Sequence, residues 1–159
     1  MAYGYGNQPS FRSPGAVDPR VTEGVLSRRL GGYLVDLVII AVLMGILWTV
    51  IAILGVLTFG FGWMLFALLP LTAIAYNALT IGGPAQATIG MRMAGVRVVD
   101  VMSGGGRVGL VQAAVHAVLF WLAASTGLLL AVDILVGFAR PDRRLGHDLL
   151  SGVALVRMA

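Results

Sequence analysis

The sequence predicts an all-α integral membrane protein: two full transmembrane helices followed by a helical hairpin (or a third long helix), with a short β pair at the cytoplasmic surface. Three observations predict it. Of the 159 residues, 58% are hydrophobic and 11% charged, with a mean hydropathy of +0.93, outside the range of soluble domains. No charged residue occurs from Leu37 to Met91, room for two spans of about 20 residues each. The cationic residues, all arginine, precede, separate or follow the apolar runs, as in segments held on one side of a bilayer.

Residues Met1 to Ser27 mix Gly, Pro and polar residues without apolar periodicity, which predicts a disordered cytoplasmic tail before a single transmembrane domain over 28–159. The apolar run beginning at Leu30 is too long for a signal peptide's core of about 7 to 15 residues. Helix one is expected at about Tyr33 to Leu54 and helix two at about Trp63 to Ile81, joined by an uncharged turn containing Gly55, Gly60 and Gly62. Trp63, after Phe59 and Phe61, fits an interfacial aromatic belt.

Gly82, Gly83 and Pro84 end the second helix, and Val96, Val98 and Val101 alternate loosely with Arg97 and Asp100, reading as a strand with a turn at Gly104 to Gly106. The closing Val153 to Met158 has similar β-branched content, so the two segments are expected to pair at the membrane surface. Leu110 to Phe138 is 29 residues, long for one span and short for two. Ser125, Thr126 and Gly127 near its middle favour a hairpin that returns to its starting side, leaving all eleven Arg together.

Asp36 lies inside helix one, where an aspartate near the helix centre costs roughly 2.5 to 3.5 kcal/mol on insertion. The fourteen Leu, Ile and Val between Tyr33 and Gly55 return roughly 4 to 8 kcal/mol on the same scale, so the helix still inserts. Arg29 lies on the same stripe, seven residues earlier, about 10.5 Å along the axis. Direct pairing would be strained, so Asp36 is expected to meet another segment, brought close by Gly31 and Gly32. With Asn77, His116 and Asp133 the hairpin sets Asp36 in one layer of two carboxylates, an imidazole and an amide. That set suits a proton or a small cation, and equally a packing role. Arg28 reads as an interfacial anchor, and Arg143, Arg144 and Asp148 as a surface polar turn that docks the last strand.

The absence of cysteine removes disulfides and thiolate sites. The chain has no lysine and no dense basic run, so neither a phosphate loop nor nucleic-acid binding is expected. No complete catalytic or metal-ligand set is visible, and no enzymatic activity, cofactor or metal is expected; His147–Asp148 alone is too little for metallohydrolase chemistry.

RLGGYLVD (Arg29 to Asp36), ATIGMRMAGVRVVD (Ala87 to Asp100) and RRLGHDLLSGVALV (Arg143 to Val156) together resemble the RDD family of prokaryotic membrane proteins. The family is named for an arginine at the start of its first helix, an aspartate within that helix and a further aspartate. The match assigns the first two places to Arg29 and Asp36 and the third to Asp148, with Asp133 as the rival. Two departures stand out: Gly90, Met91 and Arg92 replace the usual Gly-Lys-Arg, and Ser151, Gly152 and Val153 replace an Ala-Gly-Thr step. The resemblance implies a prokaryotic plasma (inner) membrane protein, and the polar tail and arginine distribution put its N-terminus in the cytoplasm. The resemblance also implies a transport role, sodium/proton antiport having been reported for some members. One small protomer has too few spans to enclose an alternating-access path, so a transporter would be a homo-oligomer. The alternative is a non-catalytic scaffold or accessory subunit binding lipid or a partner membrane protein.

Overall fold

The computed structural model describes residues 17–158. Helix α1 (Val25–Leu57) is followed by a 3-10 segment (Phe61–Leu68), α2 (Leu69–Ile81), a short α3 (Ile89–Met93) and strand β1 (Val96–Asp100). Then come α4 (Leu110–Ser125), α5 (Gly127–Ala139), a one-turn α6 (Gly146–Ser151) and β2 (Val153–Arg157).

Two helical stretches, Pro19–Leu57 and Phe61–Ile81, are long and apolar enough to cross a membrane. Helix α1 buries only Val25, Gly32, Asp36, Ile40, Ile51 and Gly55, spaced by multiples of a turn along one stripe. Its other faces expose Leu30, Leu34, Val38, Val42 and Ile46, a surface that only lipid or another apolar chain can cover. Asp36 therefore lies on the one stripe that faces protein.

The first helix begins and ends beyond the limits expected of it. It runs on through Gly55, whose missing side chain leaves the room that the Trp63 ring fills. The chain reverses instead at Phe59 and Gly60, both with positive φ, where Thr58 accepts from the Gly62 amide at 2.7 Å. The start of the second span is 3-10 rather than α, and the change falls just before Pro70. Proline has no N–H to donate back to residue 66, and it sits in the first turn of α2, where that N–H would have no partner in the helix.

The third apolar stretch is a hairpin. Its two halves are bent by 119° at Thr126, which is extended. At 1.5 Å per residue they reach about 24 and 20 Å, short of the roughly 30 Å hydrocarbon core. The return brings β2 back beside β1 as an antiparallel pair, Val96 opposite Arg157 and Asp100 opposite Val153.

That pair is covered on both faces. Val96, Val98, Val153 and Leu155 pack on Val25, Ile81, Val108 and Ala113, and Val99, Val101, Ala154 and Val156 pack with Val17 and Val21. Two strands alone would be marginal in water; the helix ends and the preceding segment supply the missing layers. The expected tail over 1–27 is corrected accordingly: residues 1–16 lie outside the described residues, but from Val17 the chain is built into the fold. Pro19–Val21 forms a 3-10 turn capped by Asp18, and Thr22 is fully buried.

Candidate functional site

Two polar centres sit inside the helical layer, and α1 contributes to both. The first is Asp36. Its Oδ1 accepts from the Tyr76 hydroxyl at 2.7 Å and the Gly90 amide at 2.8 Å, and its Oδ2 from the Thr88 hydroxyl at 2.5 Å. Thr88 also caps α3, accepting from the Met91 amide at 3.1 Å. The α3 backbone reaches the carboxylate because Gly32 and Gly90 leave no side chain between the two helices: a Cβ on Gly32 would stand 3.0 Å from Gly90, and one on Gly90 would collide with the Gly32 carbonyl. Gly31, expected to share this role, faces open space.

The second centre gathers α1, α4, α5 and α6. The Arg29 guanidinium donates through Nη1 to Asp148 Oδ2 at 2.6 Å and through Nη2 to Asp148 Oδ1 at 2.9 Å, a two-pronged pair. Nη2 also lies 2.7 Å from His147 Nε2. Since a guanidinium only donates, Nε2 must accept, which places the ring proton on Nδ1. His147 Nδ1 then donates to Asp133 Oδ2 at 2.7 Å, while Asp133 Oδ1 accepts from the His147 amide at 2.8 Å. His116 closes the cluster, its Nδ1 at 3.2 Å from the Ser151 hydroxyl and 3.7 Å from Asp148 Oδ1. Its ring stacks at a tilt on His147, and Phe120 meets His147 edge-on.

Asp148, expected in a surface turn, is fully buried. Burial by itself would raise its pKa; Arg29 above all, with His147 and His116, outweighs burial and holds the carboxyl well below its ordinary value. Of the expected surface turn, Arg143 alone is exposed; Arg144 is also buried and donates from Nε to the Val153 carbonyl at 2.8 Å, so it fixes β2 as expected.

Between α1 and the hairpin lies a cavity of about 370 Å³. Arg29, Asp36, Asn77, His116, Asp133 and His147 line it, with walls that are otherwise aliphatic and aromatic. The expected layer of Asp36, Asn77, His116 and Asp133 thus shares one cavity, but not one bonded network. Asp36 is held by α2 and α3, and Asn77 donates to the Ala73 carbonyl of its own helix at 2.8 Å. Arg29 selects Asp148 over Asp133. The sequence reading passed over His147, the link between the two carboxylates, and Tyr76 and Thr88. Only the His147–Asp148 step gave a signal, since polar neighbours in a short helix can serve different partners.

His116, His147 and Asp148 offer ligand atoms within 4.8 Å of one another, close enough for a metal ion. Arg29, however, occupies His147 Nε2 and both Asp148 oxygens, so a cation there would have to displace a guanidinium from three bonds.

The RDD family model matches residues 24–152, more than half of the chain, and no curated protein or solved structure matches it. The chain is an integral membrane protein and belongs to the RDD family.

Proposed function

We propose that this protein is one subunit of an oligomeric, proton-coupled exchanger of small cations, not an enzyme. In this reading it resides in a prokaryotic plasma membrane with its N-terminus cytoplasmic. The Asp133–His147 pair carries the proposal: a carboxylate and an imidazole joined at 2.7 Å, both lining the cavity. Arg29 fills His147 Nε2 while Nδ1 donates to Asp133, so a proton taken up by the pair goes to the Asp133 carboxylate, and ionisable groups inside a membrane protein mark ion and proton paths by default. A proton on the pair and a cation beside it would compete, which is the coupling an exchanger needs. Arg29–Asp148 holds His147 in the required tautomer, and other copies of the chain supply the rest of the pathway.

The test is pH-gradient-driven cation flux in proteoliposomes. Asp133→Asn is expected to abolish flux while the protein still assembles, and unchanged flux in this variant would refute the exchange role. A scaffold role draws its support from Asp36, whose three bonds are spent on joining helices. On that reading both Asp133→Asn and Asp36→Asn lower abundance or partner recovery alone, with no flux to lose.

A further inference from the structure

The cavity is built for something larger and greasier than a bare ion. Hard inorganic cations call for a shell of six or more oxygen ligands. Here the oxygens of Asp36 and Asp133 already accept three and two hydrogen bonds, and the walls between them are Tyr33, Phe120, Trp121, Ile134 and Phe138. A volume of about 370 Å³ lies in the range of small-molecule pockets, which are mostly apolar with a few placed polar groups.

Charge and hydrogen bonding narrow the occupant further. Among the charged residues that line the cavity, Arg29 is neutralised from behind by Asp148, whereas Asp36 and Asp133 meet only neutral donors when His147 is uncharged. Two negative charges thus face a space bordered by aromatic rings, a setting that favours a cation with hydrocarbon around its charge.

We infer that the cavity binds an organic cation: an aromatic or aliphatic ammonium compound. The ammonium lies toward Asp133, and the apolar body lies against Phe120, Trp121 and Phe138. This rests on the exchange reading above and names the substrate class of its site.

Equilibrium dialysis of the full-length protein in detergent tests it, with the 4-methoxybenzyltrimethylammonium cation as probe and sodium as competitor. Saturable binding of one probe per chain is expected, unaffected by a hundredfold excess of sodium. Asp133→Asn should weaken it at least tenfold, and Trp121→Leu, which removes an aromatic face from the wall, about threefold to tenfold. Absence of saturable probe binding overturns the inference, as does binding unchanged in both variants. Sodium-driven flux without probe binding would overturn this inference alone and leave the exchange reading standing. Probe binding without proton-coupled flux would do the reverse.

Discussion

Arg29 and Asp148 illustrate how much rests on one pair of side chains. Asp148 is completely enclosed and Arg29 nearly so, and removing one partner of such a pair leaves an uncompensated buried charge, at a cost of about 3 to 5 kcal/mol. Arg29→Ala is therefore expected to lower the thermal midpoint of the detergent-solubilised protein sharply. Arg29→Lys should recover little of the loss, because an ammonium cannot donate to both Asp148 oxygens and His147 in the geometry of a planar fork; full recovery by lysine would contradict this account. The glycines give a second contrast. Gly90→Ala should separate α1 from α3 and release Asp36, whereas Gly31→Ala, with open space around it, should be neutral or stabilise by up to about 1 kcal/mol. Equal melting points for the two variants would argue against the close crossing. The family resemblance named Arg29, Asp36 and Asp148 but not their relations, since partners 119 residues apart leave no periodic trace in a single sequence.

At the level of elements, apolar run length and the small polar residues at 125–127 were enough to place both spans and the hairpin. The 3-10 stretch over Phe61–Leu68 was not legible, because its sequence is as apolar as any α-helix and only Pro70 hints at a break. The true start of α1 escaped for a different reason: Val17 and Val25 lie among polar residues and Gly with no apolar periodicity, and their value comes from the sheet they cover. The hairpin makes a directional prediction. Reporter domains fused at the two termini should be found on the same side of the membrane, as expected when the last helices return to where they began. Opposite sides would mean that α4 and α5 cross as one span.

For the molecule as a whole, two buried carboxylates set its response to acid. The pKa of Asp142 is lowered although burial opposes it, through hydrogen bonding and charge from Arg140 with help from Arg144, and that of Asp148 is lowered chiefly by Arg29. A carboxyl depressed in the folded state stabilises fully above its unfolded value of about 3.9 and loses that contribution as pH falls toward the folded value. The melting midpoint should thus drop steeply below about pH 4 as these two carboxyls take up protons; a midpoint that stays level between about pH 5 and pH 3 would show that neither pairing matters to stability. The distance along the chain between Arg29 and Asp148 also bears on biogenesis. A ribosome adding about 5 to 20 residues per second needs roughly 6 to 24 s to make the intervening polypeptide. During that interval the guanidinium at the head of the first helix waits without its counter-ion, and β2, the final piece of the sheet, emerges later still. The first helix must therefore wait in the bilayer with its charge uncompensated until α6 has emerged, so closure of this fold is separated in time from entry of its first span.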